Sequence, residues 1–338
     1  MSTEGGTKAV VAALAANLGI AATKLLAYLL TQSSSMLAES VHSLADSGNQ
    51  VLLLIGGKQA RRAADPEHPF GYGRVRYVYA FIVAIVLFSV GGLFALYEAY
   101  EKWHEVSLGH PNGLLESRWW WVPVVVLLAA IVMESLSFRT AIRESNQVRG
   151  AVRWKDFIRR AKSPELPVIL LEDFAALLGL AFALVGVGLT LLTRNGLWDA
   201  AGTAMIGLLL VAVAVTLAVE MSSLLIGEAA TPEQVHAILL ALSSTEGVHR
   251  VIHLRTLHLG PDELLVVGKL AVNSAADGAR LAETIDRAER AARSAVPGLV
   301  LVMYLEPDLD LGPSSRPAWE RPNDESAAPA AGERPGSP

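Results

Sequence analysis

A polar stripe inside an apolar segment is the feature that most constrains this chain. The stretch "MLAESVHSLADSGNQVLLLIGG", residues 36–57, ends as apolar helix but carries Glu39, His42, Asp46 and Asn49 in its earlier part. Their spacing of three, four and three residues places all four side chains on one face of an α-helix. A charged side chain at the centre of a membrane helix costs about 2.5–3.5 kcal/mol on insertion scales. This face must therefore meet a cavity or another polar helix rather than lipid.

The composition predicts that this helix belongs to a multi-pass membrane protein. Of the 338 residues, 52% are hydrophobic and only 18% are charged, against about 25% charged in soluble domains. Several apolar runs approach or exceed the roughly 18 residues that mark a membrane-spanning helix. The net charge of −5 argues against nucleic acid as a partner. The absence of cysteine excludes disulfides and thiolate metal sites.

The apolar runs predict an all-α membrane domain of six helices within residues 1–226. The expected spans are Ala9–Leu30, Met36–Gly57, Tyr77–Tyr100, Trp119–Phe138, Pro167–Leu192 and Ala200–Leu225. Basic residues concentrate in the loops after the second and fourth spans, residues 58–76 and 139–162, whereas the opposite loops hold few. The positive-inside rule therefore predicts cytoplasmic termini, in a protein of the cell (inner) membrane.

A small soluble domain is expected to follow, at residues 227–310. Its pattern reads helix, strand, strand, helix, strand, with the turn signal "GPD" between the first two strands. This αββαβ order predicts a small α+β domain of the ferredoxin-like type on the cytoplasmic side. Residues 311–338, rich in Pro, Ser, Gly, Ala and Glu, are expected to be disordered.

The polar stripe has the chemistry of a metal site. A histidine and a carboxylate at i and i+4, such as His42 and Asp46, can both reach one divalent cation. The fifth span offers Glu172 and Asp173, which should lie at a comparable depth because the two helices run in opposite directions. Adjacent helical residues point about 100° apart, so both cannot aim squarely at one ion. The alternative is a hydrogen-bonding network that only holds the helices together.

Several motifs resemble the cation diffusion facilitator family. They are "SVHSLADSGNQ" in the second span, "HPFGYGR" at residues 68–74 and "LEPD" at residues 305–308. Together with "LLEDFAALLGL", they are most similar to the branch that contains the zinc transporter nine-like proteins. The resemblance covers about residues 8–307. It implies a homodimer that exchanges cytosolic Zn²⁺, or a related divalent cation, for protons.

The resemblance also implies a set of metal ligands in the membrane. Two on the second span and one on the fifth match the family pattern: His42, Asp46 and Asp173. The family's usual second histidine on the fifth span is Ile169 here. The resemblance leaves the fourth ligand open between Glu172, water and another polar group such as Asn49.

Two further family sites are altered in this chain. A loop site would use Asp65 and His68, but Tyr72 stands where the family often has histidine. In the soluble domain, Lys269 and Tyr304 occupy positions that are histidines in the family's metal-binding members. We therefore expect a possible loop site at Asp65 and His68, and a soluble domain that dimerises without metal.

The expected function is secondary active export of a divalent metal, driven by protons, with Zn²⁺ as the leading candidate for the metal. The expected partners are that cation, protons, membrane lipid and a second copy of the chain, with no cofactor besides the transported ion. Two other classes remain open: an intramembrane metal-dependent hydrolase and a non-transporting membrane scaffold. No HExxH pair occurs in the chain, which disfavours the hydrolase. We therefore expect a transporter and not an enzyme.

Overall fold

The computed structural model describes residues 3–110, 113–272 and 277–309. The tail expected from residue 311 onward lies outside these ranges. The described part begins with a set of helices and ends with a small sheet that two helices accompany.

The long helices of the first part overlap the predicted apolar spans, and short helices lie between them. Their bounds are α1 Thr3–Thr31, α2 Ser34–Gln59, α3 Val75–Val86, a π-helical stretch Leu87–Leu93, α4 Phe94–Ser107, α5 Gly113–Glu116, α6 Val122–Arg149, α7 Trp154–Arg160, α8 Glu165–Thr193 and α9 Leu197–Ile226. The α3 helix, the π-helical stretch and α4 form one continuous segment, Val75–Ser107.

Four of these segments are long and apolar enough to cross a membrane. They are Val75–Ser107, Val122–Arg149, Glu165–Thr193 and Leu197–Ile226. A shorter apolar helix covers Asn17–Thr31. The α2 helix, which carries the polar stripe, has 26 residues and so is comparable in length. The chain is therefore a multi-pass membrane protein with a helical membrane part.

The helices extend beyond the predicted spans. The fourth span was expected at Trp119–Phe138, but α6 begins at Val122 and continues to Arg149. Apolar run length marks only the portion that suits hydrocarbon, whereas an α-helix can continue through polar residues because its backbone groups remain paired. The short α7 helix, inside the basic loop, has no counterpart among the predicted elements.

Small residues allow α8 and α9 to approach closely. A Cβ atom added to Gly186 would lie 2.9 Å from the carbonyl oxygen of Trp198, and one added to Gly202 would lie 2.9 Å from that of Phe182. Glycines at such crossings let two membrane helices pack backbone to backbone. The fully buried side chains Leu180 and Ile206 continue the same core. This packing gives α8 a rigid support for its acidic residues.

The second part follows the predicted αββαβ order. Its elements are α10 Pro232–Ser243, β1 Val248–Gly260, β2 Glu263–Val272, α11 Gly278–Ala295 and β3 Val300–Asp308. Strands β1 and β2 are joined through Pro261 and Asp262, at the predicted turn, and the sheet order is β1-β2-β3. Asp277 caps α11 by accepting a hydrogen bond from the Arg280 amide at 2.8 Å.

Candidate metal centre

The polar stripe of α2 is buried against other helices. Glu39 and Asn49 are fully buried, and His42 is 1% exposed. The side chain of Asp46 is 16% exposed and therefore retains some access to solvent. Helices α1 and α8 both pack against α2. The stripe thus faces protein rather than the surrounding lipid.

His42 and Asp46 lie one turn apart with their polar atoms close together. The Nδ1 atom of His42 is 3.4 Å from Oδ1 of Asp46. The pair is close, yet its geometry is not that of a hydrogen bond, and both ring nitrogens lack a hydrogen-bond partner among the described residues. Imidazole nitrogen and carboxylate oxygen are both ligands that Zn²⁺ accepts. The pair is therefore chemically suited to a cation.

Glu172 and Asp173 on α8 turn toward different neighbours. The Asn49 side-chain amide donates to Oε1 of Glu172 at 2.7 Å, which links α8 to α2. The Ser137 hydroxyl donates to Oδ2 of Asp173 at 3.0 Å, which links α8 to α6. This divergence follows from the 100° rotation between successive helical residues. The two carboxylates therefore accept hydrogen bonds from different helices.

A small cavity brings these acidic groups together. Its volume of about 20 Å³ exceeds the roughly 10–15 Å³ that one water-sized sphere needs. Its lining residues come from α1, α2, α6 and α8: Asn17, Ile20, Ser43, Asp46, Gln50, Glu134, Ser137, Ile169, Glu172 and Asp173. The cavity therefore has four carboxylates on three helices around a space for one small ion.

The candidate ligands do not surround one point closely, as the ligands of a closed metal site would. In the described portion of the chain, no group of three or more histidine, aspartate and glutamate side chains is close enough together to hold a metal ion. His42 contacts Asp46 but is not among the cavity-lining residues. Ile169, at the position of the family's second histidine, forms an apolar part of the wall.

Glu134 also lines this cavity and was not among the predicted ligands. Its signal was an acidic residue within the apolar run of α6. Gln50 was not predicted at all. Its only signal was its place beside Asn49, at the margin of the polar stripe.

A buried ion pair neutralises the first member of the stripe. The Lys24 ammonium on α1 donates to Oε2 of Glu39 at 2.9 Å and to the Ser43 hydroxyl oxygen at 2.8 Å. Both charged side chains are essentially inaccessible. Glu39 is therefore matched to a fixed positive charge, unlike Asp46.

The loop residues Asp65 and His68 lie together, but the carboxylate is already engaged. The Tyr72 hydroxyl donates to Oδ2 of Asp65 at 2.6 Å, and the His68 amide donates to Oδ1 at 2.8 Å. The His68 ring packs on that of Tyr72, with centroids 4.4 Å apart. The hydrogen bond from Tyr72, followed by that from the His68 amide, holds the pKa of Asp65 below its usual range. The tyrosine at this position thus occupies an oxygen that a cation would need.

Apolar helices long enough to span a bilayer, with a small acid-lined cavity between them, define a polytopic membrane protein. Residues 10–226 match the cation efflux transmembrane domain, and the chain belongs to this family, the cation diffusion facilitators. Its members are transporters rather than enzymes.

Several curated proteins are similar to the chain. The proton-coupled zinc antiporter SLC30A9 of Xenopus laevis is 34% identical over 240 residues, which cover 70% of this chain and 41% of that protein. Its Homo sapiens counterpart is 32% identical with the same coverage. Metal tolerance protein C4 of Arabidopsis thaliana is 29% identical over 257 residues, covering 75% of this chain and 54% of that protein. The chain thus spans about two fifths to one half of the length of these relatives.

Proposed function

We propose that the protein is a secondary active transporter that exports a divalent cation from the cytoplasm in exchange for protons. Zn²⁺ is the leading candidate for this cation. The observation that carries this proposal is the one-ion cavity ringed by Asp46, Glu134, Glu172 and Asp173. Four carboxylates around one small space carry more negative charge than hydrogen bonding between helices requires, and a divalent cation would offset that charge. Two relatives are named as proton-coupled zinc antiporters, which supports both substrates.

The residues explain how metal and protons exclude each other. Carboxylates and imidazole must lose their protons to bind a cation, so both substrates compete for the same atoms. Asp46 and Asp173 are the principal ligands and His42 is the third. Glu172, held by Asn49, is the candidate fourth. On the proton-rich side of the membrane, protonation of these groups releases the metal.

The surrounding helices provide the alternating access. The candidate ligands come from α2 and α8, and α6 contributes Glu134 and Ser137 to the same cavity. Movement of these helices relative to α9 and the Val75–Ser107 segment would open the cavity to one side at a time. Carriers with a site near the bilayer midplane commonly work in this way.

The proposed architecture has six spans, residues 1–226, with α1 and α2 as the first two. Both termini are cytoplasmic, and the protein resides in the cell inner membrane. The αββαβ part, residues 227–310, is a ferredoxin-like cytoplasmic domain that joins two copies of the chain. Neither a nucleic acid nor a cofactor takes part.

Zinc-driven proton movement in proteoliposomes tests the function. A zinc gradient across vesicles that contain the wild-type chain should move protons, reported by a pH-sensitive dye. Removal of a residue that only supports a metal ligand usually costs about 10–100-fold. Asp46→Asn and Asp173→Asn remove proposed ligands themselves, so each should reduce the flux by more than this. Glu101→Gln is the matched control, since Glu101 accepts a hydrogen bond from Tyr97 at an exposed position.

The outcomes distinguish an error in the ligand assignment from an error in the proposed function. Wild-type flux in either aspartate variant would overturn the ligand assignment. Absence of zinc-dependent flux from the folded wild-type chain would overturn transport of zinc, and repetition with Mn²⁺, Fe²⁺, Co²⁺ and Cd²⁺ would then separate another cation from a non-transporting scaffold.

A further inference from the structure

An apolar groove lies where α6, α7 and α8 meet, beside the basic loop. Its volume is about 590 Å³, within the roughly 300–1,000 Å³ of small-molecule sites. Its lining is mostly apolar, with Phe138, Ile142, Leu171 and Phe174 along α6 and α8. It extends along α6 from Phe138 to Arg149, roughly 16 Å at 1.5 Å per residue. The groove is therefore apolar and long enough to hold part of a hydrocarbon chain.

The wall of the groove on α8 is open to the bilayer. Phe174, which lines this wall, is 43% exposed in the protein alone. In a bilayer an exposed aromatic ring at this depth contacts acyl chains, since no water reaches the hydrocarbon region. A lipid tail can therefore enter the groove past Phe174.

Arg149 is held in a fixed position at the polar end of this groove. Its guanidinium lies 4.3 Å from the ring centre of Trp154. Its Nη2 atom donates to Oδ1 of Asn146 at 2.7 Å, and Nη1 donates to the Val152 carbonyl oxygen. These contacts use only part of the five N–H donors of arginine. The side chain is pre-organised, and it presents a planar cation of the kind that binds phosphate.

The charge around the groove favours an anionic headgroup. Arg139, Arg143, Arg153 and Lys155 belong to the same stretch and are exposed. Basic clusters beside a membrane helix attract anionic lipids. The α7 helix itself, "WKDFIRR", combines Trp154 and Phe157 with basic residues, the composition of an interfacial helix. An acidic protein partner would account for the charges but not for a groove that opens toward lipid tails.

We propose that this groove binds one anionic phospholipid of the adjoining leaflet, with an acyl chain between Phe138 and Phe174 and the phosphate on Arg149. This site is separate from the cation cavity, and its occupancy does not depend on the proposed transport.

Lipid retention by the purified full chain tests the site. The chain in detergent micelles is mixed with equal amounts of phosphatidylglycerol and phosphatidylcholine of the same acyl chains, and bound lipids are counted by native mass spectrometry. The wild type should retain phosphatidylglycerol in preference. Arg149→Gln should lower that preference about fivefold, the effect of one basic residue at a membrane surface. Arg149→Lys, which keeps the charge, should fall between them.

A matched control exists outside the basic loop. The guanidinium of Arg118 lies 4.8 Å from the ring centre of Trp119, a similar stacked pair just before α6, so Arg118→Gln should leave the preference unchanged. Ile142→Phe fills the groove without altering charge and should reduce retention of both lipids.

Three results would overturn the proposal: equal retention of the two lipids by the wild type, an unchanged preference in Arg149→Gln, or an equal loss in Arg118→Gln. Displacement of bound phosphatidylglycerol by an acidic peptide, with no effect of Ile142→Phe, would instead indicate a protein-binding surface.

Discussion

At the scale of single residues, the buried polar groups of the membrane part are sorted into specific pairs. Glu39 is paired with Lys24, Glu172 accepts from Asn49, and Asp173 accepts from Ser137. The Oδ1 atom of Asn49 lacks a hydrogen-bond partner within the described residues. Asn49 therefore holds Glu172 in place with its amide nitrogen alone. The stripe combines a buried charge pair with a carboxylate, Asp46, that has no such counter-charge.

The Lys24–Glu39 pair should be strongly coupled. Lys24→Met leaves the Glu39 carboxylate buried without its counter-charge, which should destabilise the protein by about 3–5 kcal/mol. The double variant Lys24→Met/Glu39→Gln removes both charges and should recover most of that loss. Thermal unfolding in detergent micelles measures both effects.

A surface pair provides the comparison. Arg293 donates to Glu289 at 2.9 Å on the exposed side of α11, so Arg293→Met should cost no more than about 1 kcal/mol. If Lys24→Met were as stable as the wild type, the buried pair would have no structural role.

At the scale of elements, the start of α2 depends on a residue from α9. The carboxylate of Asp199 is fully buried and accepts from the Ser33 hydroxyl at 2.9 Å and the Ser34 amide at 3.0 Å. Ser33 precedes the helix but forms no cap with its own side chain. Asp199 thus satisfies the free amides of α2 from another helix, and its charge suits the positive end of the helix dipole. This contact positions α2, and with it His42 and Asp46, relative to α9.

Removal of this carboxylate should loosen the start of α2. Asp199→Ala leaves buried hydroxyl and amide donors unpaired, at about 1–3 kcal/mol for each group. Amide hydrogen exchange of peptides that cover residues 33–43 should become faster. The control is Thr216→Ala, because the Thr216 hydroxyl donates only to the Ala212 carbonyl of its own helix. Unchanged protection in Asp199→Ala would show that α2 is positioned by packing alone.

At the scale of the whole molecule, ion pairs join two strands of the C-terminal part. The ammonium of Lys269 on β2 lies 3.4 Å from carboxylate oxygens of both Glu306 and Asp308 on β3. A lysine ammonium has no lone pair for a metal and repels a cation. Charge pairing therefore links β2 to β3 without a metal at this place in the sheet.

The proposed homodimer should consequently survive removal of metal. Multi-angle light scattering of the full chain in detergent micelles should give the same mass with and without a chelator, since apolar burial holds the two copies together. Dissociation into monomers on chelation, reversed by added zinc, would contradict this prediction.

Much of the architecture could be predicted because its signals are local. The length of an apolar run determines whether a helix suits a bilayer, and a spacing of three or four residues determines the shared face of Glu39, His42, Asp46 and Asn49. The turn at Pro261 and Asp262 is likewise specified by adjacent residues. Helix ends such as Arg149 of α6 were missed, because a helix does not stop where its apolar pattern does.

The partner of each polar group could be decided only by the tertiary structure. Asn49 meets Glu172 across 123 residues of chain, and Ser33 meets Asp199 across 166. No local pattern specifies such pairs, because they depend on which helices pack together and at what height. The sequence by itself determined that carboxylates and a histidine enter the membrane. The packing of α1, α2, α6 and α8 decided the partners of these groups. It pairs Glu39 with Lys24, and it places Asp46, Glu134, Glu172 and Asp173 around a cavity. The reason is that a buried charge can pair only with a group that the folded backbone brings within reach.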